Sequence, residues 1–478
     1  MMNEPQPALF EDMIKQLPSP WQDGTLRRKI YEENKESGRC IVALDDDPTG
    51  TQTVHDIWVL TSWDDESIRL ALADNEPALY FLTNSRSMPF VDAQDINREI
   101  VTNLLCVAQE IRRPITLVSR SDSTLRGHFP GETDTIQQTL EEKFHRRVDG
   151  VCLIPYFAEG GRFTIDDVHW VLENGVLIPA AQTPYAKDIV FGYNRSYLPD
   201  WIEEKTGGRV KPGDVASLSL DILRLGGPDK VYECLMKTQG GKVLIVNAVE
   251  DRDLEVFVSA LLRAEEQGKT FLLRTAASLV KIAAGLPDKP LLTRDELFPD
   301  EPGYPGLIVF GSHVPKSTAQ LEEIKSLDRI RSIELPVRGV LCPTTRSRVL
   351  EETTRAVSSA LREGLDAVLF TSRELISGEN EMESLAIGRS VSSALVEVLN
   401  RLEVNPGYVI GKGGITASDL ATQSMQVRAA RVMGQILPGV PVWKLGPGSR
   451  WPGLVYVVFP GNVGDEGAVA RVIQRMRE

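Results

Sequence analysis

The chain has few of the residues and patterns that mark several protein classes. Its 478 residues include five cysteines, none in a CxxC pair, so we expect reduced thiols and no structural zinc site. No apolar run approaches the roughly 20 residues that a membrane helix requires. Acidic residues outnumber basic ones, and the net charge of −14 argues against binding to nucleic acid or to an anionic membrane. The first residues lack a basic segment followed by an apolar one, so we expect a cytoplasmic protein.

Several catalytic motifs are also missing from the chain. It contains neither GxxxxGK[ST] nor GxGxxG, which disfavours P-loop kinases and nicotinamide dehydrogenases. It has no GxSxG nucleophile elbow, so a serine hydrolase is a poor fit. The five histidines show neither HxxxH nor HExxH spacing, and isolated histidines are more often structural residues than metal ligands.

Short apolar runs alternate with amphipathic helical segments from residue 40 onward. This alternation predicts a mainly parallel sheet covered by helices. The pattern stops at a segment with five prolines, 286–306, and then resumes. We therefore predict an α/β protein of two domains, each a mainly parallel sheet flanked by helices, with the active site in the interdomain cleft. The predicted boundaries are an extension at 1–38, a first domain at 39–285, a linker at 286–306 and a second domain at 307–478.

Acidic residues follow the first strong apolar run, in the stretch IVALDDDPTG at 41–50. Ligands of open parallel sheets bind beyond the carboxyl ends of the strands, so these residues are candidates for a site. A single aspartate here would be an ordinary helix cap, but three in a row exceed capping needs. Adjacent carboxylates raise one another's pKa unless a metal, a cation or a hydroxyl donor offsets them, which is also the setting of a general base. We therefore predict functional roles for Asp46 and Asp47.

A second polar cluster lies in the stretch SRSDSTLRGHFPGE at 119–132. Its arginines suit bidentate binding of a carboxylate or phosphate, and its small hydroxyl residues suit the hydroxyl groups of a sugar. A loop held by an internal Asp–Arg pair would have the same composition. The residues alone leave both interpretations open.

Glycine-rich turns mark the second half of the chain. They occur in GSHVPKSTAQ at 311–320, GKGGITASD at 411–419 and GPGSRWPG at 446–453. Such turns expose backbone N–H groups to which phosphate oxygens bind well. Each turn is weak evidence alone, but several in one domain favour a nucleotide site over chance capping.

Six segments together carry a resemblance to a known family. They are Asp46 to Thr51, Asp122 to Gly127, PYFAEGGRFTIDDVHWV at 155–171, Gly311-Ser312 with Ser317 and Gln320, Gly413 to Ala417, and Pro438 to Pro441. In their order and spacing the chain resembles the four-carbon acid sugar kinase family, formerly a family of unknown function, from about residue 40 to its end. The resemblance implies a kinase that uses ATP and Mg²⁺ to phosphorylate a threonate-, erythronate- or oxo-tetronate-type acid. It places the acid on the N-terminal domain and the nucleotide on the C-terminal one.

The motifs and the resemblance together predict three sets of site residues. The catalytic set is Asp46, Asp47 and Asp122, with Asp46 or Asp47 deprotonating the hydroxyl or positioning the metal, whose ligands are not assigned. The substrate-binding set is Thr49, Gly50, Arg86, Arg120, Ser123, Thr124, Arg126 and Arg162, in which Arg126 with Arg120 or Arg86 holds the carboxylate. The nucleotide-binding set is Gly311, Ser312, Ser317, Gly413, Gly414, Thr416, Gly439, Gly461 and Asn462.

The chain departs from the family pattern at three places, and these keep rival functions open. Pro48 replaces a leucine, Val314 replaces a serine, and Phe459-Pro460 replaces a Lys-Ser pair. Because the last change removes a cation, a protein that senses a sugar acid or nucleotide without catalysis is the main alternative. A sugar-acid dehydrogenase would fit the same α/β pattern but lacks the dinucleotide fingerprint. The expected partners are a small sugar acid and ATP, with no nucleic acid and no membrane, and a homo-oligomer is compatible with the sequence.

Overall fold

The computed structural model describes residues 4–47, 50–299, 305–311, 315–373, 376, 381–461 and 463–477. The chain forms two compact units. The first unit comprises Met1–Gly50 and Ser62–Asp288, and the second comprises Thr51–Thr61 and Lys289–Glu478. The short segment Thr51–Thr61 thus belongs to the second unit, although its neighbours in sequence belong to the first.

The described residues form nineteen strands and seventeen α-helices. The strands are β1 (Ala8–Leu9), β2 (Cys40–Asp45), β3 (Ile57–Leu60), β4 (Ala78–Leu82), β5 (Ile115–Arg120), β6 (Gly150–Ile154), β7 (Arg162–Ile165), β8 (Val168–Glu173), β9 (Val176–Pro179), β10 (Ala216–Leu218), β11 (Lys242–Val246), β12 (Phe271–Thr275), β13 (Leu307–Phe310), β14 (Ile330–Leu335), β15 (Asp366–Thr371), β16 (Tyr408–Lys412), β17 (Ala429–Leu437), β18 (Val440–Leu445) and β19 (Val455–Phe459). The helices are α1 (Phe10–Ile14), α2 (Leu26–Ser37), α3 (Asp65–Ala73), α4 (Phe90–Glu110), α5 (Gly131–Phe144), α6 (Leu198–Lys205), α7 (Leu220–Arg224), α8 (Gly227–Lys237), α9 (Asp251–Glu266), α10 (Ser278–Ala283), α11 (Arg294–Leu297), α12 (Pro315–Lys325), α13 (Val337–Leu341), α14 (Arg346–Arg362), α15 (Glu381–Asn400), α16 (Gly414–Asp419) and α17 (Ala468–Arg477).

The main sheet of the first unit has the strand order β10-β11-β6-β12-β5-β2-β4. Every neighbouring pair in it is parallel. Parallel strands covered on both faces consist of continuous apolar residues, and β2, β4 and β6 are indeed buried at every position. A separate antiparallel sheet has the order β1-β9-β8-β7.

The N-terminal segment, which we predicted to be an extension at 1–38, is partly folded onto the first unit. Strand β1 pairs with β9, and α2 buries Leu26 and Ile30. The guanidinium of Arg27 on α2 donates to Asp251 and Glu255 of α9, at 3.0 Å each. The segment therefore contributes to the packing of this unit.

The second unit contains a mixed sheet with the order β3-β17-β18-β19-β16-β13-β15-β14. The five strands from β19 to β14 are parallel, whereas β3, β17 and β18 are antiparallel to their neighbours. Within the predicted linker 286–306, the structure places the short helix α11 and buries Leu292 and Leu297 in the core of this unit.

The prediction of a two-domain α/β fold with mainly parallel sheets flanked by helices is confirmed. Among the helices of the described residues, none combines the length and the hydropathy that a membrane crossing requires.

Candidate active site

The first polar cluster lies at the point where the strand order in the sheet of the first unit reverses. Strand β2 has β4 on one side and β5 on the other, although β4 and β5 both follow it in the chain. Loops at such a switch point diverge and leave a crevice at the carboxyl edge of the sheet. The registers pair Asp45 with Leu82 and with Arg120, so the polar residues after all three strands meet at this edge.

Asp45 is the buried carboxylate at the end of β2. Its side chain is fully buried, and Arg120 Nη1 donates to Asp45 Oδ1 at 2.9 Å. Burial, together with the neighbouring carboxylates of Asp46 and Asp47, raises the pKa of Asp45 to about 7 against the opposing charge of Arg120. Gly50 lies directly against Asp45, since a β-carbon there would be 1.5 Å from Oδ2. Arg120 is therefore engaged beneath the site.

Asp46 is held in a fixed orientation. It is 2% exposed, its Oδ2 accepts from Arg86 Nε at 3.1 Å and from Ser121 Oγ at 2.5 Å, and its Oδ1 accepts from Arg86 Nη2. Arg86 reaches back because Asn84 adopts the left-handed conformation, with φ of 53°, before the turn Ser85–Ser87. Asparagine tolerates this conformation better than most residues.

Arg86 joins the three predicted catalytic carboxylates. Its Nη1 lies 3.2 Å from Asp47 Oδ2 and 3.7 Å from Asp122 Oδ1, in addition to its bonds with Asp46. These carboxylates raise the pKa of Arg86 well above its usual value against the opposing effect of burial. The structure thus brings Asp46, Asp47 and Asp122 around one cation. Asp47 is the most exposed of the three, at 26%.

The loop after β5 contains an internal Asp–Arg pair, which was one of the two interpretations that the sequence left open. Arg126 Nε donates to Asp122 Oδ2 at 2.9 Å, and Thr124 contributes its backbone N–H to the same oxygen at 3.1 Å. Arg86 and Arg126 lower the pKa of Asp122 against the effect of burial. The neighbouring Ser123 is tied down through its carbonyl, which accepts from His169 Nε2 at 2.8 Å. Arg126 nonetheless remains 26% exposed.

Two arginines lie beside one tyrosine next to this loop. The guanidinium carbons of Arg126 and Arg162 lie 5.3 Å and 5.5 Å from the centre of the Tyr185 ring. Arg126 also lies 3.6 Å from Asp188. Arg162 forms no ion pair within the part of the chain that the structure describes, and its Nε is buried without a hydrogen-bond partner there. An anion is the natural complement of such a group.

Sequence reasoning missed several residues that support this cluster. Glu132 accepts from Ser85 Oγ and Arg274 Nη1, at 2.6 Å each. Tyr185 and Asp188 contact Arg126 from about 60 positions away in sequence, and no motif links them. The buried ring of His169 has its pKa lowered to about 4, chiefly by burial, which fits the structural role expected of an isolated histidine.

The glycine-rich turns of the second unit meet at a second switch point. Strand β13 has β16 on one side and β15 on the other, and the registers pair Phe310 with Lys412 and Lys412 with Phe459. The turns that begin at Gly311, Gly413 and Pro460 therefore leave the same edge of the sheet. Three predicted nucleotide-binding segments are thus brought together.

The glycines of these turns allow close backbone approach. A β-carbon on Gly311 would lie 2.1 Å from Thr416 Oγ1, and Gly413 has a φ of +107° that favours glycine. A β-carbon on Gly461 would meet only Gly413 Cα, at 4.0 Å. The Gly413 and Gly461 turns consequently face each other with no side chain between them.

The remaining predicted nucleotide-binding residues have different environments. Ser317, in the first turn of α12, is fully buried, and its hydroxyl has no hydrogen-bond partner in the described ranges. Gly439 forms the turn between β17 and β18, with a φ of +77°, and lies near Val463. Thr49, Ser312 and Asn462 lie outside the described residues.

Lys412 is a functional candidate that the sequence analysis did not include. It is fully buried, and its Nζ donates to the carbonyls of Pro460 at 2.6 Å and Gly461 at 2.9 Å. The ammonium lies 4.6 Å from the centre of the Phe459 ring, the position where the family pattern has a lysine. Burial, with a contribution from Lys316, lowers the pKa of Lys412 to about 7. The sequence did contain an indication of this candidate, because the lysine of GKGG stands at the end of an apolar strand.

The described residues contain no group of three or more His, Cys, Asp and Glu side chains that could hold a metal ion. The carboxylates of the first unit are instead balanced by arginines. This arrangement fits a Mg²⁺ ion that arrives with nucleotide phosphates, since Mg²⁺ is commonly bound through substrate phosphates and one or two carboxylates.

Comparison with protein families identifies both halves of the chain. Residues 41–283 match a model described as a sugar-binding N-terminal domain, and residues 307–469 match one described as a nucleotide-binding C-terminal domain. No curated protein matches the chain significantly.

Two solved structures share the fold. A Salmonella typhimurium LT2 protein described as a candidate tRNA synthase is 18% identical, with a TM-score of 0.64, over 90% of this chain and 98% of its own. A Haemophilus influenzae protein of the DUF1537 family is 16% identical, with a TM-score of 0.62, over 91% of this chain and 100% of its own. At these identities the likeness concerns the fold alone.

The chain is thus a sugar-binding and nucleotide-binding α/β protein. It belongs to the four-carbon acid sugar kinase family.

Proposed function

We propose that the protein is an ATP-dependent kinase that phosphorylates a hydroxyl group of a four-carbon sugar acid of the threonate, erythronate or oxo-tetronate type. The observation that carries the proposal is the cluster at the carboxyl edge of the first unit. There, acidic groups that could orient a hydroxyl lie beside two arginines that could hold a carboxylate. The match of the second half of the chain to a nucleotide-binding domain supports the use of a nucleotide.

Arg126 and Arg162 are the proposed carboxylate clamp. Both lie against Tyr185, and Arg162 has no carboxylate partner among the described residues. A substrate carboxylate would accept from both guanidinium groups, and charge-assisted hydrogen bonds of this kind are short and directional. We propose this pair in preference to Arg120 and Arg86, because Arg162 forms no ion pair in the described residues and Arg126, although paired with Asp122, is 26% exposed. Arg86 and Arg120 are only 17% and 7% exposed.

Asp47 is the proposed group that orients and deprotonates the hydroxyl. Asp46 is nearly inaccessible and its carboxylate is occupied by Arg86 and Ser121, whereas Asp47 keeps about a quarter of its side chain exposed. Arg86 would hold Asp47 in place through their 3.2 Å contact. Phosphoryl transfer depends mainly on alignment and charge stabilisation, so one oriented carboxylate is a sufficient base.

The facing turns of the second unit are the proposed phosphate site. Gly414 and Gly461 leave backbone atoms unobstructed, Gly311 and Gly413 shape the adjoining turns, and Ser317 offers a buried hydroxyl. The Mg²⁺ ion would neutralise the phosphates on which it arrives. Lys412 holds the turn after β19 through two carbonyls and adds positive charge at the same edge.

The experiment that tests the proposed carboxylate clamp compares Arg162→Ala with Arg209→Gln. Arg209 is an exposed arginine of the same unit that pairs with Asp134, so it controls for loss of surface charge. We expect Arg162→Ala to raise KM for the acid at least ~10-fold with a smaller change in kcat, as for a lost substrate-binding group. An unchanged KM in both variants would reject the clamp. Binding of an acid without ADP formation in the wild type would favour the sensor alternative.

A further inference from the structure

A cavity lies at the edge of the first unit opposite the candidate active site. Its volume is about 380 Å³, and its lining includes Arg39, which immediately precedes β2, and Ile115, which begins β5. Because both strands run from this cavity toward Asp45 and Arg120, the two sites are separated by the length of a six-residue strand, roughly 20 Å. The volume is within the range of small-molecule sites.

The lining of this cavity is strongly basic in a protein of net charge −14. It includes five cations and one carboxylate, namely Arg39, Arg112, Arg113, Arg146, Lys269 and Glu265. Glu265 pairs with Arg39, and Asp149 pairs with Lys269 at 3.0 Å. Positive charge is thus in excess around this cavity.

Three of the arginines have no carboxylate partner in the described ranges. Arg113 donates to the carbonyls of Gly38, Leu72 and Glu76. The exposed side chains of Arg112 and Arg146 form no hydrogen bond there, and Arg146 is near enough to Glu265 to lower the pKa of that carboxyl, which burial raises.

Ordinary helix capping explains only part of this charge. Helices α4, α5 and α9 end close to the cavity, at Glu110, Phe144 and Glu266, and basic residues are common there because each helix C terminus carries about half a negative charge. Arg113 is engaged in the same way by the carbonyls of Gly38 and Leu72 at the ends of α2 and α3. The exposed Arg112 and Arg146 are the two cations that neither a carboxylate nor a carbonyl engages in the described residues. In addition, Arg39 is 8% exposed, and its Nε is buried without a hydrogen-bond partner in the described residues.

We propose that this cavity is a second ligand site, which binds a compact multivalent oxyanion. The exposed Arg112 and Arg146 supply guanidinium forks that suit phosphate or carboxylate oxygens. The buried Arg39 and the partly buried Arg113, which is held by three carbonyls, form the fixed side of the site. Phosphate esters, pyrophosphate and small polycarboxylates share the required chemistry.

The test measures binding of pyrophosphate and of citrate to the full-length protein by calorimetry, for the wild type, Arg112→Gln/Arg146→Gln and Arg147→Gln. Arg147 is the matched control, because it neighbours Arg146 but pairs with Glu141 at 3.0 Å and does not line the cavity. The double variant should keep the fold, since its two side chains are exposed and unpaired in the described residues. Its melting temperature checks this.

We expect at least one of the two anions to bind the wild type and Arg147→Gln, with affinity that weakens as salt is added. In the double variant the same event should be at least ~10-fold weaker, as for lost hydrogen bonds to charged groups. Protection of residues 112–115 and 144–147 in hydrogen exchange would place the anion in this cavity and not at the phosphate turns. The proposal is overturned if neither anion binds the wild type, or if the double variant binds as the wild type does. Preference for pyrophosphate over citrate, or the reverse, identifies the oxyanion class.

Discussion

At the scale of single residues, the candidate site is organised by charge pairing. Arg86 contacts Asp46, Asp47 and Asp122, and its positive charge offsets part of the repulsion among the three carboxylates. The sequence showed that these residue types were unusual, because three consecutive aspartates exceed capping needs. It could not show which arginine pairs with which carboxylate, since Arg120 and Arg86 are equally compatible with the motif.

Replacing Asp47 tests the assignment of the base. We expect Asp47→Ala to lower kcat at least ~100-fold, the range for loss of a general base. Arg126→Ala should lower turnover by a similar factor, unlike Arg162→Ala, because Arg126 also pairs with Asp122 of the predicted catalytic set and its loss removes a charge-stabilising contact there. Steady-state ADP release measures both. Near wild-type turnover in both variants would contradict these roles.

The pKa of Lys412, lowered to about 7, gives a prediction on pH dependence. Above pH 7 the free protein holds Lys412 largely neutral, and nearby phosphates would favour the ammonium form. ATP binding near pH 8 should therefore take up protons, and its affinity should fall as pH rises through 7 to 9. Calorimetry in buffers of different ionisation enthalpy measures the uptake.

The matched variant for this measurement is Lys412→Met, which should show no such uptake. Without nucleotide, the unfolded chain binds the lysine proton more tightly than the native state between about pH 7 and 10. The free energy of unfolding of the wild type should therefore rise with pH in this window relative to Lys412→Met. Equal proton uptake in the two proteins would show that Lys412 lies away from the phosphates.

At the scale of elements, the sequence predicted the buried parallel strands and the polar residues that follow them. It did not predict the antiparallel strands or the contacts between residues far apart in sequence. Central parallel strands such as β2 are apolar throughout, so both the strand and the polar residues after it were recognisable. Strands β7 and β8 carry Arg162 and His169 among apolar residues, and antiparallel strands of this kind lack a continuous run. The pairing of Arg126 with Asp188 joins residues far apart in sequence and follows only from the fold.

The turn between β16 and α16 gives a test at this scale. A β-carbon on Gly414 would meet nothing within 4 Å, so packing of the protein does not require glycine there. If phosphate approaches this turn, Gly414→Ala should weaken ATP binding at least several-fold while the melting temperature stays unchanged. Gly213→Ala, at another position with no atom within 4 Å, is the control. Wild-type ATP affinity in Gly414→Ala would remove this turn from the phosphate site.

At the scale of the whole molecule, each of the two units is built from two separate segments of the chain. The segment Thr51–Thr61 belongs to the second unit, where β3 pairs with residues Ala429 to Val432 of β17. Its Thr51 hydroxyl accepts from Trp443 Nε1 at 3.0 Å. A split at the linker, as the composition suggested, would leave this strand behind. The predicted domain boundaries stay a prediction.

Because β3 belongs to the second unit, we can predict how a fragment that lacks this strand behaves. Residues 289–478 alone should unfold at a lower temperature than the second unit does in the full chain, because β17 loses a neighbour and exposes an edge. A synthetic peptide of residues 51–61 should raise the melting temperature of the fragment, whereas a peptide of the same composition in scrambled order should not. Equal effects of the two peptides would contradict the importance of this pairing.

The central claim is that the protein transfers phosphate from ATP to a sugar acid, and ADP release tests it most directly. Purified protein with MgATP would be assayed against D- and L-threonate, D- and L-erythronate and the 2- and 3-oxo-tetronates. We predict that one of these acids stimulates ADP release strongly and that Asp47→Ala abolishes the stimulation. ATP binding without acid-dependent ADP release for any member of the panel would contradict the claim.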